Sequence, residues 1–219
     1  MAKSTYQRKP PSRSFKEVYA IVGDGPTEKI YFDLLKESKR FSSIPQINIK
    51  PELPNTKGRG GGYMRVFEKA KKLSEDYDRV FCLIDMDVVV RENKLQSYAR
   101  EKMRVEKGGK ITVIENNPCF EFWFLLHFEF TAKHFDSCDR VCNEIRRNDR
   151  LPGYSKAKED LPRHYEALEP KLCDACQHSR SIEDQRDIEL VSPQHPRCQM
   201  HLVLEGLGLC GNSCQYNRS

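Results

Sequence analysis

The chain has no apolar run approaching the ~18 residues that a membrane helix requires. Its most hydrophobic stretch, Phe120–Phe128, is too short and is interrupted by Glu121 and His127. No apolar segment precedes Val18, so no secretory signal is read and the cytoplasm is the expected compartment, with no membrane partner. A strong excess of one charge is also missing. The net charge is +5 over 219 residues and the pI is near 8.7, which permits a nucleic-acid partner without demanding one. Internal repeats and low-complexity tracts are absent as well, and the length fits one domain or one domain with an added lobe.

What charge there is lies unevenly. Residues 1–16 contain Lys3, Arg8, Lys9, Arg13 and Lys16 and no acid. Arg140–Arg150 is a second basic stretch that includes Arg146 and Arg147. Such segments can neutralise phosphates, and they are equally the composition of a solvated arm and an exposed helix face. Cysteine is abundant at nine residues. The count is odd, Cys82 and Cys119 fall in apolar runs, and no export signal is present, so reduced thiols are expected rather than a disulfide framework. Cys173-x-x-Cys176 and Cys210-x-x-x-Cys214 have spacings that zinc sites use, with His178, Cys198 and His201 between them. The second pair falls in the polar last ten residues, and structural Zn²⁺ is not the expected reading.

Residues 1–14 read as a flexible basic arm. Val18–Val22 is a continuous apolar run of the kind buried on both faces of a sheet. It stops at Gly23-Asp24-Gly25-Pro26, with proline placed for a helix start, and Ile30, Tyr31, Leu34 and Leu35 follow at helical spacing. Ile47 and Ile49 mark a second strand. The glycine-rich stretch Lys57–Tyr63 leads into a helix carrying Val66, Phe67, Ala70 and Leu73. It lacks the Gly-Lys-Ser/Thr end of a P-loop and reads as a connection. Arg79–Ile84 is the clearest strand and ends at Asp85-Met86-Asp87. A polar helix over roughly 91–106, a strand over Ile111–Ile114 and an apolar helix from near Pro118 complete the alternation. The fold class is therefore α/β, with a mostly parallel sheet flanked by helices over 15–131. Beyond about residue 132 no strand is read. Helices through Phe135–Ile145, Leu161–Leu172 and Met200–Leu209 form a helical C-terminal portion packed on the core (132–209), followed by a tail at 210–219. Phe120, Phe122, Trp123, Phe124, Leu125 and Leu126 have the density of a buried helix rather than of a base-stacking platform.

Ligands of open parallel sheets bind beyond the carboxyl ends of the strands. Two strands end in acids there. The first supplies Asp24 and Glu28, and the third supplies Asp85 and Asp87, which would share a face if the segment stayed extended. Gathered carboxylates repel unless a cation neutralises them, and hard oxygen donors suit Mg²⁺ or Mn²⁺.

These same segments carry a resemblance. Ile21–Glu28 resembles the first Toprim motif in its "EG-x-TE" form, known from the overcoming-lysogenization-defect nucleases and the RloB-like proteins, and Val80–Asp87 resembles the Toprim "DxD" motif. Asn117-Pro118-Cys119-Phe120-Glu121-Phe122-Trp123-Phe124-Leu125-Leu126-His127-Phe128 is similar to the "NPCFELWLLLHF" signature of RloB-like proteins, and Gly153-Tyr154-Ser155-Lys156 to the Tyr-x-Lys step that follows it. The likeness covers roughly residues 17 to 209. It implies a Toprim catalytic domain that binds Mg²⁺ for phosphodiester chemistry on DNA or RNA, associated with restriction or abortive-infection defence. It also implies an AAA-type or ABC-type ATPase partner. Carried over, Asp24, Glu28, Asp85 and Asp87 would be metal ligands, Asp24 and Glu121 would serve the chemistry, with Glu121 as ligand or general base, and Lys156 would stabilise charge on the phosphate. The chain departs from the family at Asp24, where glutamate is usual, and at Gly23, where a larger residue is usual. Aspartate keeps the charge and shortens the reach by roughly 1.5 Å. That departure leaves open an alternative class, a non-catalytic Toprim module that docks on an ATPase or on RNA.

Overall fold

The computed structural model describes residues 16–44, 46–54, 62–188, 195–210 and 214. The N-terminal arm and most of the glycine-rich stretch lie outside the described residues. A five-stranded sheet runs in the order β2-β1-β3-β4-β5. Strands β1 (Glu17–Val22), β2 (Ile47–Glu52), β3 (Arg79–Asp85) and β4 (Ile111–Asn117) are mutually parallel. The two-residue β5 (Arg197–Cys198) pairs antiparallel with the end of β4. A strand past residue 132 was not expected from the sequence. Two residues carry no periodicity, and β5 exists only because its neighbour β4 offers an edge.

Helices α1 (Pro26–Glu37) and α2 (Lys39–Ser42) join β1 to β2, and α3 (Tyr63–Asp76) leads to β3. The polar helix between β3 and β4 is two helices, α4 (Asp87–Arg91) and α5 (Leu95–Glu106), separated where Asn93 takes a positive φ of 51°. After β4 come α6 (Glu121–Leu126), α7 (Cys138–Ile145), α8 (Leu161–Leu168), α9 (Leu172–Ile188) and α10 (Met200–Gly206). Phe135 is buried but lies before α7 rather than in it. The helix read over 161–172 breaks at a 3-10 turn, Glu169–Lys171, where Pro170 has no N–H to continue the ladder. The last helix stops at Gly206, ahead of a left-handed Gly208.

Strand alternation sorts the sheet into two apolar faces. Tyr19, Ile21, Phe81, Leu83 and Ile114 point into one core with α1, α2 and the helices from α6 to α10. Ala20, Val22, Val80, Cys82, Ile84 and Val113 point into the other, with α3, α4 and α5. Phe120, Phe122, Trp123, Phe124, Leu125 and Leu126 are all at most 1% exposed, which makes α6 a core helix. No described helix is long and apolar enough to cross a membrane.

The expectation of reduced thiols is corrected. Six of the nine cysteines are paired: Cys119 with Cys138, Cys173 with Cys214 and Cys176 with Cys210. Cys82, Cys142 and Cys198 are buried and free. The partners lie 19 to 41 residues apart in the chain, and only the packing of α7 on α6 and of the chain end on α9 brings them together.

Candidate metal centre

The carboxyl ends of β1 and β3 are neighbours in the sheet, so the two acidic turns share one edge. Pro26 opens α1 and sets Glu28 in its first turn. Glu28 is buried, and its stem lies across the chain at Gly23. A Cβ at Gly23 would stand 2.6 Å from the Glu28 Cβ, and one at Gly25 would stand 3.1 Å from Glu28 Oε2. Glycine at these two positions is what lets Glu28 fold back over the end of β1.

Asp85 is the last residue of β3 and accepts a 2.8 Å hydrogen bond from the Phe120 backbone N–H through Oδ1. The strand ends there, so Asp85 and Asp87 are not alternate residues of one extended segment. Asp87 opens α4, and its Oδ1 accepts from the Val88 N–H at 2.6 Å. The two acids nevertheless meet, because Asp24, Asp85 and Asp87 line one cavity of ≈ 360 Å³ together with Tyr63, Glu92 and Lys94. Asp24 is the most exposed of the sequence-read acids whose pairing is resolved, with its Oδ1 3.8 Å from Arg65.

Behind Asp85 lies a second, more buried group. Glu121, first residue of α6, is 2% exposed. Its Oε1 is 2.8 Å from Lys156 Nζ and accepts from Tyr154 Oη at 3.3 Å, while Cys138 Sγ lies 2.9 Å from Oε2. Lys156 Nζ is also 3.3 Å from that sulfur. Lys156 follows the turn at Gly153 (φ 70°), and half of its side chain faces solvent.

Charge in this group is undercompensated. Burial pushes the Glu28 carboxyl up to about 8, and the charges of Glu121 and Asp24 add to the rise. Burial raises Asp85 well above the usual carboxylate range, reinforced by Glu28, Glu121 and Asp87. Lys156 opposes both shifts, and its own pKa is raised: burial pulls it down, and the Glu121 carboxylate outweighs that.

Thus Asp85 joins an open half of the edge (Asp24, Asp87) to a buried half (Glu28, Glu121, Lys156). The four acids are not drawn tightly about one point. Among the described residues, the three ligand atoms found within 4.8 Å of one another belong to Cys119, Glu121 and Cys138, and two of them are the sulfurs of the Cys119–Cys138 disulfide. Cys138 went unrecognised in the sequence because it reads as one more apolar position of α7. The basic stretch at 140–150 is largely engaged within the fold. Arg150 meets Glu129 at 2.6 Å, Arg147 meets Glu144 at 3.5 Å, and Arg146 Nε donates to the Tyr154 carbonyl at 2.8 Å.

Parallel strands with helices on both faces and acids collected at the carboxyl edge define an α/β protein with an acidic edge site. The chain belongs to the RloB-like protein family, whose model matches residues 19–207. No curated protein and no solved structure matches it.

Proposed function

We propose that this chain is a Toprim-type nuclease that hydrolyses nucleic-acid phosphodiesters with Mg²⁺ or Mn²⁺ in phage defence, working with an ATPase partner. One observation carries the reading: Asp24, Asp85 and Asp87 line one cavity at the carboxyl edge of a parallel sheet, while Glu28 and Glu121 are buried and Lys156 lies 2.8 Å from Glu121. Burying like charges costs free energy that a structural role does not repay, and a divalent cation would relieve it.

The donor set fits such an ion. Asp24, Glu28, Asp85 and Asp87 offer carboxylate oxygens, the ligands that hard divalent cations take. When bound, the cation polarises the phosphodiester and makes water a nucleophile at neutral pH. The rest falls to side chains. Glu121 accepts the proton of the attacking water. Lys156, half in solvent, turns its ammonium from Glu121 toward the phosphate as negative charge builds there. The ≈ 360 Å³ cavity lined by Asp24, Asp85 and Asp87 is where the scissile phosphate would sit.

A second reading, a non-catalytic module docking on the ATPase or on RNA, is favoured by one feature. Asp24 stands exposed and within 3.8 Å of Arg65, which competes for its carboxylate.

The test is cleavage of labelled DNA, tRNA and bulk RNA with Mg²⁺ or Mn²⁺ against EDTA, with and without the ATPase and ATP. Asp85→Ala/Asp87→Ala is the control. Metal-dependent cutting that the double variant loses supports the nuclease and names its substrate. No cutting of any substrate, with the ATPase and ATP present, leaves the binding module.

A further inference from the structure

Far from the acidic edge, the chain end is attached to α9 through four sulfurs. Cys173 and Cys176 stand one helical turn apart on α9, so their side chains leave the same face. Cys210 follows the turn that ends α10, and Cys214 lies four residues on. Cys173 faces Cys214 with Cα atoms 5.4 Å apart, and Cys176 faces Cys210 at 6.5 Å. The two disulfides therefore stand side by side, spaced by the helical step of about 5–6 Å between Cβ atoms.

A tetrahedral tetrathiolate with Zn–S near 2.3 Å sets its sulfurs about 3.8 Å apart, which an i,i+3 pair on a helix reaches by rotation of its side chains. As two disulfides the four sulfurs are not gathered to ligand distance; opened by reduction, two short-spaced cysteine pairs facing each other supply the donors of a closed structural site. The Arg40 guanidinium donates to Cys173 Sγ at 3.4 Å, across 133 residues of chain, and would stand beside a thiolate once the Cys173–Cys214 disulfide is reduced. A fixed cation beside a sulfur favours its thiolate form. The four cysteines make up a complete tetrahedral donor set without a histidine.

We propose that in the reduced protein Cys173, Cys176, Cys210 and Cys214 bind one Zn²⁺ as a tetrathiolate. Two equivalents of a dithiol reductant convert the two disulfides to four thiols and are themselves oxidised to disulfides. Zn²⁺ then displaces four protons and leaves a dianionic site beside Arg40. The ion secures the chain end to α9, which packs against α6 and hence behind Glu121.

The experiment is metal analysis of the full chain, purified anaerobically with reductant, with X-ray absorption at the zinc edge. One zinc per chain with four sulfur neighbours is expected. Cys176→Ser and Cys210→Ser should each lose it, while Cys142→Ala and Cys138→Ser keep it. Should the serine variants fail to fold, Co²⁺ exchanged into the wild-type chain reports instead, through the intense sulfur-to-metal charge transfer and visible bands of a tetrahedral thiolate. Reduced protein with no zinc and nine reactive thiols would overturn the proposal. So would zinc bound by oxygen ligands, or zinc lost from Cys138→Ser alone.

Discussion

Acids on the two faces of the sheet are treated in opposite ways. Glu115 of β4 faces the core of α3, α4 and α5, and each of its oxygens has a partner. Oε1 accepts from Tyr98 Oη at 3.0 Å and from Lys102 Nζ at 2.7 Å, and Oε2 takes the Arg197 guanidinium, which Glu183 also holds at 3.0 Å. Burial would raise the Glu115 carboxyl, but Arg197 and Lys102 outweigh it and hold the pKa below the usual carboxylate value. On the other face, Glu28 and Asp85 are raised, with one lysine shared among three acids. Both arrangements bury carboxylate. One is closed and serves the fold, tying β4 to α5 and to the strand that returns as β5. The other lacks cations to match its acids, so Glu28 and Asp85 ionise only against a penalty, the kind of perturbation found at functional sites.

The largest effect that sharpens this contrast is on the closed side. Glu115→Ala leaves Arg197 and Lys102 facing a vacancy. Breaking one side of a buried ion pair costs about 3–5 kcal/mol, which at this chain length lowers Tm by on the order of 10 °C. Thermal melts should show that loss, while metal-dependent cleavage by the folded variant stays within about threefold of wild type. Asp85→Ala/Asp87→Ala should do the reverse. Cleavage falls by about 100-fold or more, some 2.7 kcal/mol of transition-state stabilisation, with a smaller change in Tm than Glu115→Ala, because relieved repulsion offsets the hydrogen bond that the Phe120 N–H loses.

The pH dependence of stability is a third test. Glu28 moves from an ordinary value of 4.5 to about 8 in the folded protein. The folded state then holds a proton that the unfolded state has released, so metal-free stability falls as pH rises from about 4.5 to about 8. The expected loss is up to about 5 kcal/mol across that range, seen by denaturant titration in EDTA. Glu28→Gln should flatten it. Because metal binds the ionised carboxylates, the Tm gained from Mn²⁺ should grow over the same range. The smallest effect concerns the family departure at Gly23. Gly23→Ala forces its Cβ to within 2.6 Å of the Glu28 stem. Overpacking of this kind costs about 1–2 kcal/mol, and it should weaken Mn²⁺ binding more than it lowers Tm.

Much of this edge was legible from the residues. Val18–Val22 and Arg79–Ile84 could only be strands buried on both sides, and acids directly after such strands fall at the ligand edge by topology. Glu121 and Lys156 were legible only through the resemblance, since nothing in periodicity says that an acid in an apolar helix turns toward an acid 93 residues earlier. The Glu115 network was not legible. It draws on β4, α5, α9 and β5, and β5 itself is two residues long with no pattern of its own. The cysteine pairs were misread for a similar reason, because pairing depends on which helices pack together, and spacing along the chain carries only half of that.

The most direct test of the central claim is calorimetric titration of Mn²⁺ into the metal-free wild-type chain, Glu28→Gln and Glu115→Gln near neutral pH. Wild type and Glu115→Gln should bind saturably, with release of protons, and Glu28→Gln should lose the binding. Equal binding by all three, or binding lost only with Glu115, would show that the uncompensated acids at the sheet edge are not a cation site.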